Sequence, residues 1–381
     1  MMLFTESQYH TDGAYIANSK KFHSKVEAIL SLPPNNYDVK WDFHDDFFSR
    51  YDWFKEPTLS LDQLYAERAK QLRDKYDHIV LNYSGGSDSH NILQTFVKNN
   101  IVIDEIQMFG AFDREKKLFE EETPTLDDLR FKNLELYAQA IPFVNELKKK
   151  WPNLVLTKFD WSTLLPKVYA ESKNFEWIYV PGNGRFAPNL AAKMFVHRSR
   201  REAVSSEYKK KKVVYLWGMD KPRVMNQHNK WYIYFVDSVL NNNGGFSDNE
   251  VDEYFYWAPE SADILCKQAH VIKKYVEADA VRSQFFSKIS HKNMPTEEYY
   301  EVIKPAIYPT TYQPERFQFD KVTNLLSARE WWFYNSDRPK GYEEWEDGLR
   351  MLGNDIDSYW LKKNDIKNGF VGCVSKFHQF A

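Results

Sequence analysis

Long apolar runs, net charge and cysteine are all scarce in this sequence, and each scarcity removes a class of protein. No stretch approaches the roughly 18 consecutive apolar residues that a bilayer-crossing helix needs, so no membrane partner is expected. The 51 Lys and Arg nearly balance 54 Asp and Glu, leaving a net charge of −3. The whole-chain field therefore attracts neither nucleic acid nor an anionic membrane, and any polyanion site must be a local patch. Cysteine occurs only as Cys266 and Cys373. That is too little for a disulfide framework, a CxxC redox pair or an all-thiolate metal site. The opening residues 1–10 show no secretory signal, and a reducing cytoplasm is the expected compartment. Glycine is thin too, at 14. What is plentiful is aromatic: Trp 12, Tyr 24 and Phe 27 make up 17% of the chain, so rings must build much of its core.

A length of 381 residues, at roughly 150 per domain, predicts two to three domains. Residues 1–60 end in an aromatic and acidic segment, 37–54, whose ring spacing suits neither a strand nor a helix and reads as an irregular cap. Its Asp42, His44, Asp45 and Asp46 are of ligand type but follow no fixed metal spacing. Over 61–76 the apolar residues Leu61, Leu64, Ala66 and Leu72 recur at helical spacing. Strands are then predicted at 78–83, 102–109, 154–159, 175–180 and 213–217, with a helix over 88–99 and another within 126–150 that Pro142 should kink or divide. This alternation predicts an α/β fold with a doubly wound, mostly parallel five-stranded sheet over 61–243. Past the Asn/Gly turn at 241–245 the alternation fades, and 244–381 reads as a mainly helical, aromatic-rich lobe with helices at 259–278, 297–303 and 325–332.

The informative residues are Ser84, Gly85, Gly86, Ser87, Asp88 and Ser89, at the turn from the first of these strands into its helix. Two glycines let the backbone approach an anion, successive N–H groups can form a nest, and the helix directs its positive end there. The serines add neutral donors. Asp88 would repel a bare phosphate, and makes sense if it also holds a divalent metal that bridges phosphate oxygens. A Walker loop is excluded, since no Gly-Lys-Ser/Thr occurs in the chain.

The hexapeptide SGGSDS, following HIVLNY, resembles the SGGxDS signature of the PP-loop superfamily of N-type ATP pyrophosphatases, which includes asparagine, GMP and NAD synthetases and tRNA lysidine synthetase. The resemblance implies a Rossmann-like, adenine nucleotide alpha hydrolase-like sheet. It also implies that ATP is split to AMP and pyrophosphate as a substrate oxygen is adenylated, and that a nitrogen or sulfur nucleophile then displaces AMP. Ser84, Gly85, Gly86, Ser87 and Ser89 would bind phosphate, and Asp88 would hold Mg²⁺. Phrases such as FYWAPE and KQAH look like asparagine synthetase-like proteins of the kind found in bacteriophage genomes. Members of that family that use glutamine carry a nucleophilic cysteine at the processed start. Here residue 2 is Met and no cysteine precedes Cys266, so nitrogen is expected from free ammonia, an amine or an ammonia-supplying partner.

Other segments are weighed beside the loop. Gly218, Met219, Asp220, Lys221, Pro222 and Arg223 follow the last predicted strand and are expected to face the same crevice. Lys221 and Arg223 would meet charge developing on the phosphates. Gly218 and Asp220 loosely resemble the glycine-then-acid turn of asparagine synthetase-like members, although the family's acidic pair is not reproduced. The turn 181–185 ends in Arg185, a candidate contact for the nucleotide or a second substrate. Lys267, His270 and Lys274 share one helix face, which either closes over the nucleotide or is simply solvated. Between Lys193 and Lys212 lie eight Lys/Arg against two Glu, a local net of +6 that is either a tRNA or other nucleic-acid footprint or a solvated surface.

Three functions therefore stand. One is an AMP-forming ligase that adenylates a carboxyl or carbonyl oxygen of a small-molecule acceptor. The second is a tRNA-modifying or sulfur-transfer enzyme, for which Cys373 would have to carry a persulfide alone, though a buried apolar role suits it better. The third is a non-catalytic nucleotide-binding module.

Overall fold

The computed structural model describes residues 14–22, 24–110, 112, 135–160, 163, 169–170, 175–179, 210–218, 221–237, 249–313, 341–361 and 369–381. β1 (Tyr15–Ala17), β2 (Lys20–Phe22) and β3 (Lys40–Trp41) form a small antiparallel sheet, with α1 (Lys25–Leu30) between its strands in sequence. α2 (Asp45–Phe48) follows, and Phe48 and Trp53 are buried, so the aromatic segment is a cap packed on the body of the protein. α3 (Leu61–Lys75) starts at Ser60, whose side chain and that of Gln63 close a capping box. Its buried side is Leu61, Leu64, Tyr65, Arg68, Ala69 and Leu72; Ala66, expected there, lies at its margin.

β4 (His78–Asn82), α4 (Ser87–Lys98) and β5 (Glu105–Gly110) follow close to their expected bounds. A π-helical turn, Glu135–Ala140, then gives way to α5 (Ile141–Lys150) with Pro142 in its first turn, where a missing N–H costs nothing. Pro142 thus stands where the π turn passes into α5 without interrupting the helical backbone. β6 (Val155–Asp160) and β7 (Val213–Trp217) come next. β8 (Arg223–Gln227) and β9 (Lys230–Tyr234) form a hairpin whose two turn residues, His228 and Asn229, both take positive φ, 53° and 62°. That hairpin forms a second sheet, order β11-β9-β8, with β11 (His378–Gln379) at the chain's end.

The main sheet has five strands, all parallel, in the order β10-β7-β4-β5-β6, with β10 (Glu250–Tyr254) at one edge. β4 and β7 are buried at every position, as aliphatic runs in a covered parallel sheet must be. Two expectations fail here. Residues 175–179 are not a strand: Phe175 takes φ 56°, which stops an extended run, and Glu176–Tyr179 forms a 3₁₀ turn that buries Trp177 and Ile178. A short apolar run reads alike as a strand or a buried turn. The fifth strand is instead β10, beyond the boundary expected at 243. Its sequence, EVDEY, hides as a strand because its acids are engaged inside the protein. Trp217 Nε1 donates to Asp252 at 2.7 Å, and Arg68 and Lys75 pair with Glu253 at 2.7 and 2.6 Å.

α6 (Ala262–Glu277), α7 (Ala280–Phe286), α8 (Thr296–Ile307) and α9 (Tyr342–Asp355) follow. Hydrogen bonds fix α6 and the end of α8 to α3: Gln268 Nε2 donates to the Tyr65 hydroxyl at 2.9 Å, which donates to the Ile307 carbonyl at 2.6 Å. One buried cluster runs from Tyr15 to Phe380. Among the described residues no helix is long and apolar enough to cross a membrane. The turn at 241–245 and the helix expected at 325–332 lie outside the described residues.

Candidate functional site

The strand order places the site. From β4 the chain steps to β5 and β6 on one side, then returns to β7 on the other side of β4 and moves outward to β10. The carboxyl ends of β4 and β7 therefore border the point where the order reverses, the crevice in which open α/β sheets bind ligands. The turns that leave these two strands hold Ser84 to Ser89 and Gly218 to Lys221 respectively.

The first turn is braced from within. The Ser84 N–H donates to Ser89 Oγ at 3.3 Å, the two hydroxyl oxygens stand 3.2 Å apart, the Gly86 N–H donates to Ser84 Oγ at 3.2 Å, and Ser89 Oγ donates to the Gly86 carbonyl at 3.3 Å. Gly85 has φ +92°, which L side chains rarely adopt. α4 begins at Ser87 with no side-chain cap from Gly86, so its first-turn N–H groups start at the loop. Behind the loop the Tyr83 hydroxyl and His90 Nδ1 are hydrogen-bonded at 2.9 Å.

The second turn reaches the first by close backbone packing. A Cβ on Gly218 would stand 3.0 Å from the Ser89 nitrogen and 3.2 Å from the Asp88 carbonyl carbon. Only glycine lets β7 deliver its turn onto the start of α4. Three residues on, the Lys221 ammonium is ion-paired with Asp88 Oδ2 and lies 4.5 Å above the Tyr300 ring. Of the residues singled out in the sequence, the structure thus brings Ser84, Gly85, Gly86, Ser87, Asp88, Ser89, Gly218 and Lys221 together. Arg223, which opens β8, pairs across the hairpin with Tyr234 of β9. Asp220, Arg185 with its 181–185 turn, and the basic stretch up to residue 209 lie outside the described residues.

A third contribution comes from the chain's second half, and sequence spacing gave no signal for it. The Tyr308 hydroxyl donates to Asp88 Oδ1 at 2.6 Å and the Tyr256 hydroxyl to the Asp88 carbonyl at 2.9 Å. Asn91 Nδ2 holds Tyr256 at 2.9 Å and is itself held by Thr311 at 2.6 Å. Lys304, buried in α8, pairs with Glu301 at 2.8 Å and acts on Asp88 through its charge. Burial alone would push the Asp88 carboxyl up; Lys221, Lys304 and the Tyr308 hydroxyl more than reverse this and hold it below the ordinary aspartate value. Burial, reinforced by Asp88, pushes the Tyr308 hydroxyl far up, so it remains a donor. The result is an ionised carboxylate with fixed donors, its side chain 26% exposed beside the loop.

The basic stripe on α6 does something else. Lys267 pairs with Glu56 at 2.8 Å and donates to the Pro57 carbonyl at 2.9 Å, Lys274 pairs with Glu56 at 2.7 Å, and His270 Nε2 meets the Trp53 carbonyl at 3.0 Å. The stripe ties down the N-terminal cap and does not close over a nucleotide. Both thiols are sealed. Burial pushes Cys266 and Cys373 up to about 12 each, so neither is a thiolate at neutral pH. Compared with known proteins, the chain matches no protein-family model and no curated protein.

Proposed function

We propose that the protein is an AMP-forming ATP pyrophosphatase of the PP-loop type, a ligase that adenylates a carboxyl or carbonyl oxygen for displacement by ammonia or an amine. The observation that carries this reading is the SGGSDS turn at the reversal of strand order, with Gly218 packed against it and Lys221 on its aspartate. The reading takes the parallel sheet as a doubly wound, Rossmann-like nucleotide fold with a mainly helical lobe behind it. The first-turn N–H groups of α4 and the loop hydroxyls bind the β- and γ-phosphates. A substrate oxygen attacks the α-phosphorus, the bond to the bridging oxygen breaks, and pyrophosphate leaves with that electron pair. The incoming nitrogen then displaces AMP and gives up its proton to solvent. Lys221 turns from Asp88 to the phosphate oxygens, where charge grows in the transition state.

The residues fit a magnesium ion carried in with the nucleotide. Asp88 offers an ionised, partly open carboxylate with one donor on each oxygen, which leaves lone pairs for a hard cation that takes its other ligands from phosphate and water. Asp88 would hold that Mg²⁺, and the chemistry it supplies is neutralisation of phosphate charge. A sulfur-transfer enzyme would need an accessible thiolate, and both cysteines of the chain are buried and protonated.

The test is the nucleotide product. Protein given ATP and Mg²⁺ with amino acids plus ammonia, or in a second tube with bulk tRNA, is expected to form AMP and pyrophosphate in the first. Asp88→Asn should abolish this, with a loss on the order of a hundredfold or more, and Lys221→Ala should lower kcat more than it raises KM. ADP and phosphate as products would overturn the reading. Product only with tRNA would move the acceptor to RNA, and ATP binding without turnover would favour a nucleotide-binding module.

A further inference from the structure

Gly86 is a glycine for a reason its backbone does not supply. Its φ of −67° and ψ of 162° are open to any residue. What excludes a side chain is contact: a Cβ at Gly86 would collide with Glu135 Oε1, with Glu135 Cδ 3.2 Å away and Ser84 Oγ 3.3 Å away. At Gly85 a Cβ would stand 2.7 Å from the Glu135 carbonyl oxygen and 2.9 Å from Ala140 Cβ. The π-helical turn Glu135–Ala140 therefore lies directly on both glycines, and the buried Glu135 carboxylate occupies the space over Gly86.

That space is where an anion belongs. The uncapped first turn of α4 begins one residue after Gly86, and a helix N-terminus favours negative charge close by. A carboxylate and a phosphate cannot share it, for reasons of volume and of charge. We propose that Glu135 is the resident anion of the glycine loop and sets its affinity for phosphate: an incoming pyrophosphate group takes the place of the Glu135 carboxylate over Gly86. The inference rests on the loop being the phosphate site. It adds that this chain carries its own competitor for that site, on a segment far from the loop in sequence. Deleting the carboxylate then strengthens binding, the opposite of what deleting a ligand contact does.

The full chain should be titrated calorimetrically with inorganic pyrophosphate and with a non-hydrolysable ATP analogue, as wild type, Glu135→Gln and Glu135→Ala. Both variants are expected to bind pyrophosphate more tightly, by roughly tenfold, the scale of one like-charge contact removed from a partly desolvated site. Glu135→Gln keeps the size of the side chain and carries the test alone if Glu135→Ala does not fold. In the wild type, amide hydrogen exchange within Glu135–Ala140 should rise when pyrophosphate binds. Equal affinity in all three proteins would overturn the inference and leave the nucleotide reading standing. Weaker binding by the variants would also overturn it, making Glu135 a contact to the ligand or its cation. Absence of binding by all three would overturn the nucleotide reading and this inference with it.

Discussion

Two lysine–aspartate pairs of this molecule differ in how completely they are closed off from solvent. Lys25 and Asp237 are sealed, at 2% and 0% exposed, whereas Lys221 and Asp88 stand at 10% and 26% at the carboxyl edge of the sheet. At Asp237 both oxygens are committed to architecture. Oδ2 accepts from Lys25 at 2.7 Å and from the Tyr15 hydroxyl at 2.8 Å, and Oδ1 from the Cys373 N–H at 2.8 Å. Lys25 also donates to the Val371 carbonyl at 2.6 Å, so one ion pair ties the start, the middle and the end of the chain together. Burial alone would lower the Lys25 pKa; Asp237 more than offsets it, and the value is raised. At Asp88 the donors are a tyrosine and a lysine, and the carboxylate keeps 26% of its surface exposed. The same two ion types are sealed in one place and partly reached by solvent in the other.

The largest expected effect separates the pairs by stability. Asp237→Asn strands the Lys25 ammonium in a dry site and should cost about 3–5 kcal/mol in a denaturant titration. Asp88→Asn keeps an acceptor for Tyr308 and leaves the Lys221 ammonium over the Tyr300 ring, at a carboxylate position that is 26% exposed, so it should cost less, about 1–2 kcal/mol. If the two losses were equal, the division into a sealed and a partly exposed pair would fall.

The sealed region also carries a pH dependence of its own. His378 lies against Trp53, with ring centroids 5.3 Å apart, and burial, with Lys376 adding to it, pushes its pKa down to about 4. A histidine kept neutral in the folded state binds its proton only on unfolding. Stability is therefore complete above the unfolded value of 6.5 and falls as the pH drops from there toward 4. The loss should reach about 2–3 kcal/mol near pH 4. His378→Phe should remove that slope, and an unchanged slope would place the acid sensitivity elsewhere.

What the sequence made legible were the parts whose causes are local. β7 matches its expected bounds, because a buried parallel strand is an unbroken apolar run. The glycine–serine turn was visible since turn chemistry is written within six residues. The partners of Asp88 were not legible: Tyr256, Lys304 and Tyr308 sit 168 to 220 positions away and read as ordinary core or helix surface. β10 was hidden by its acids, whose partners come from α3 and β7. Glu135 ran against expectation, since nothing local predicts an acid over a phosphate-type turn. The correction at 175–179 has the same origin, for a buried turn and a buried strand present one hydrophobic pattern.

The smallest expected effect sets two glycines against each other. Gly218 holds the open pair in place by contact, because it is what lets the β7 turn press on the backbone of Asp88 and Ser89. Gly218→Ala forces a carbon to within 3.0 Å of the Ser89 nitrogen, and backbone on both sides cannot swing away. The two turns must part, at a cost of about 1–3 kcal/mol. The separation should draw Lys221 off Asp88, so on the proposed nucleotide reading ATP affinity falls along with stability. Gly353, in α9, has nothing within 4 Å of where a Cβ would stand. Gly353→Ala should therefore stabilise by up to about 1 kcal/mol through helix propensity and leave nucleotide binding unchanged. If both variants lost affinity alike, the loop would be sensitive to stability in general. Loss confined to Gly218→Ala would assign the coupling of the two turns to the backbone contact at Ser89.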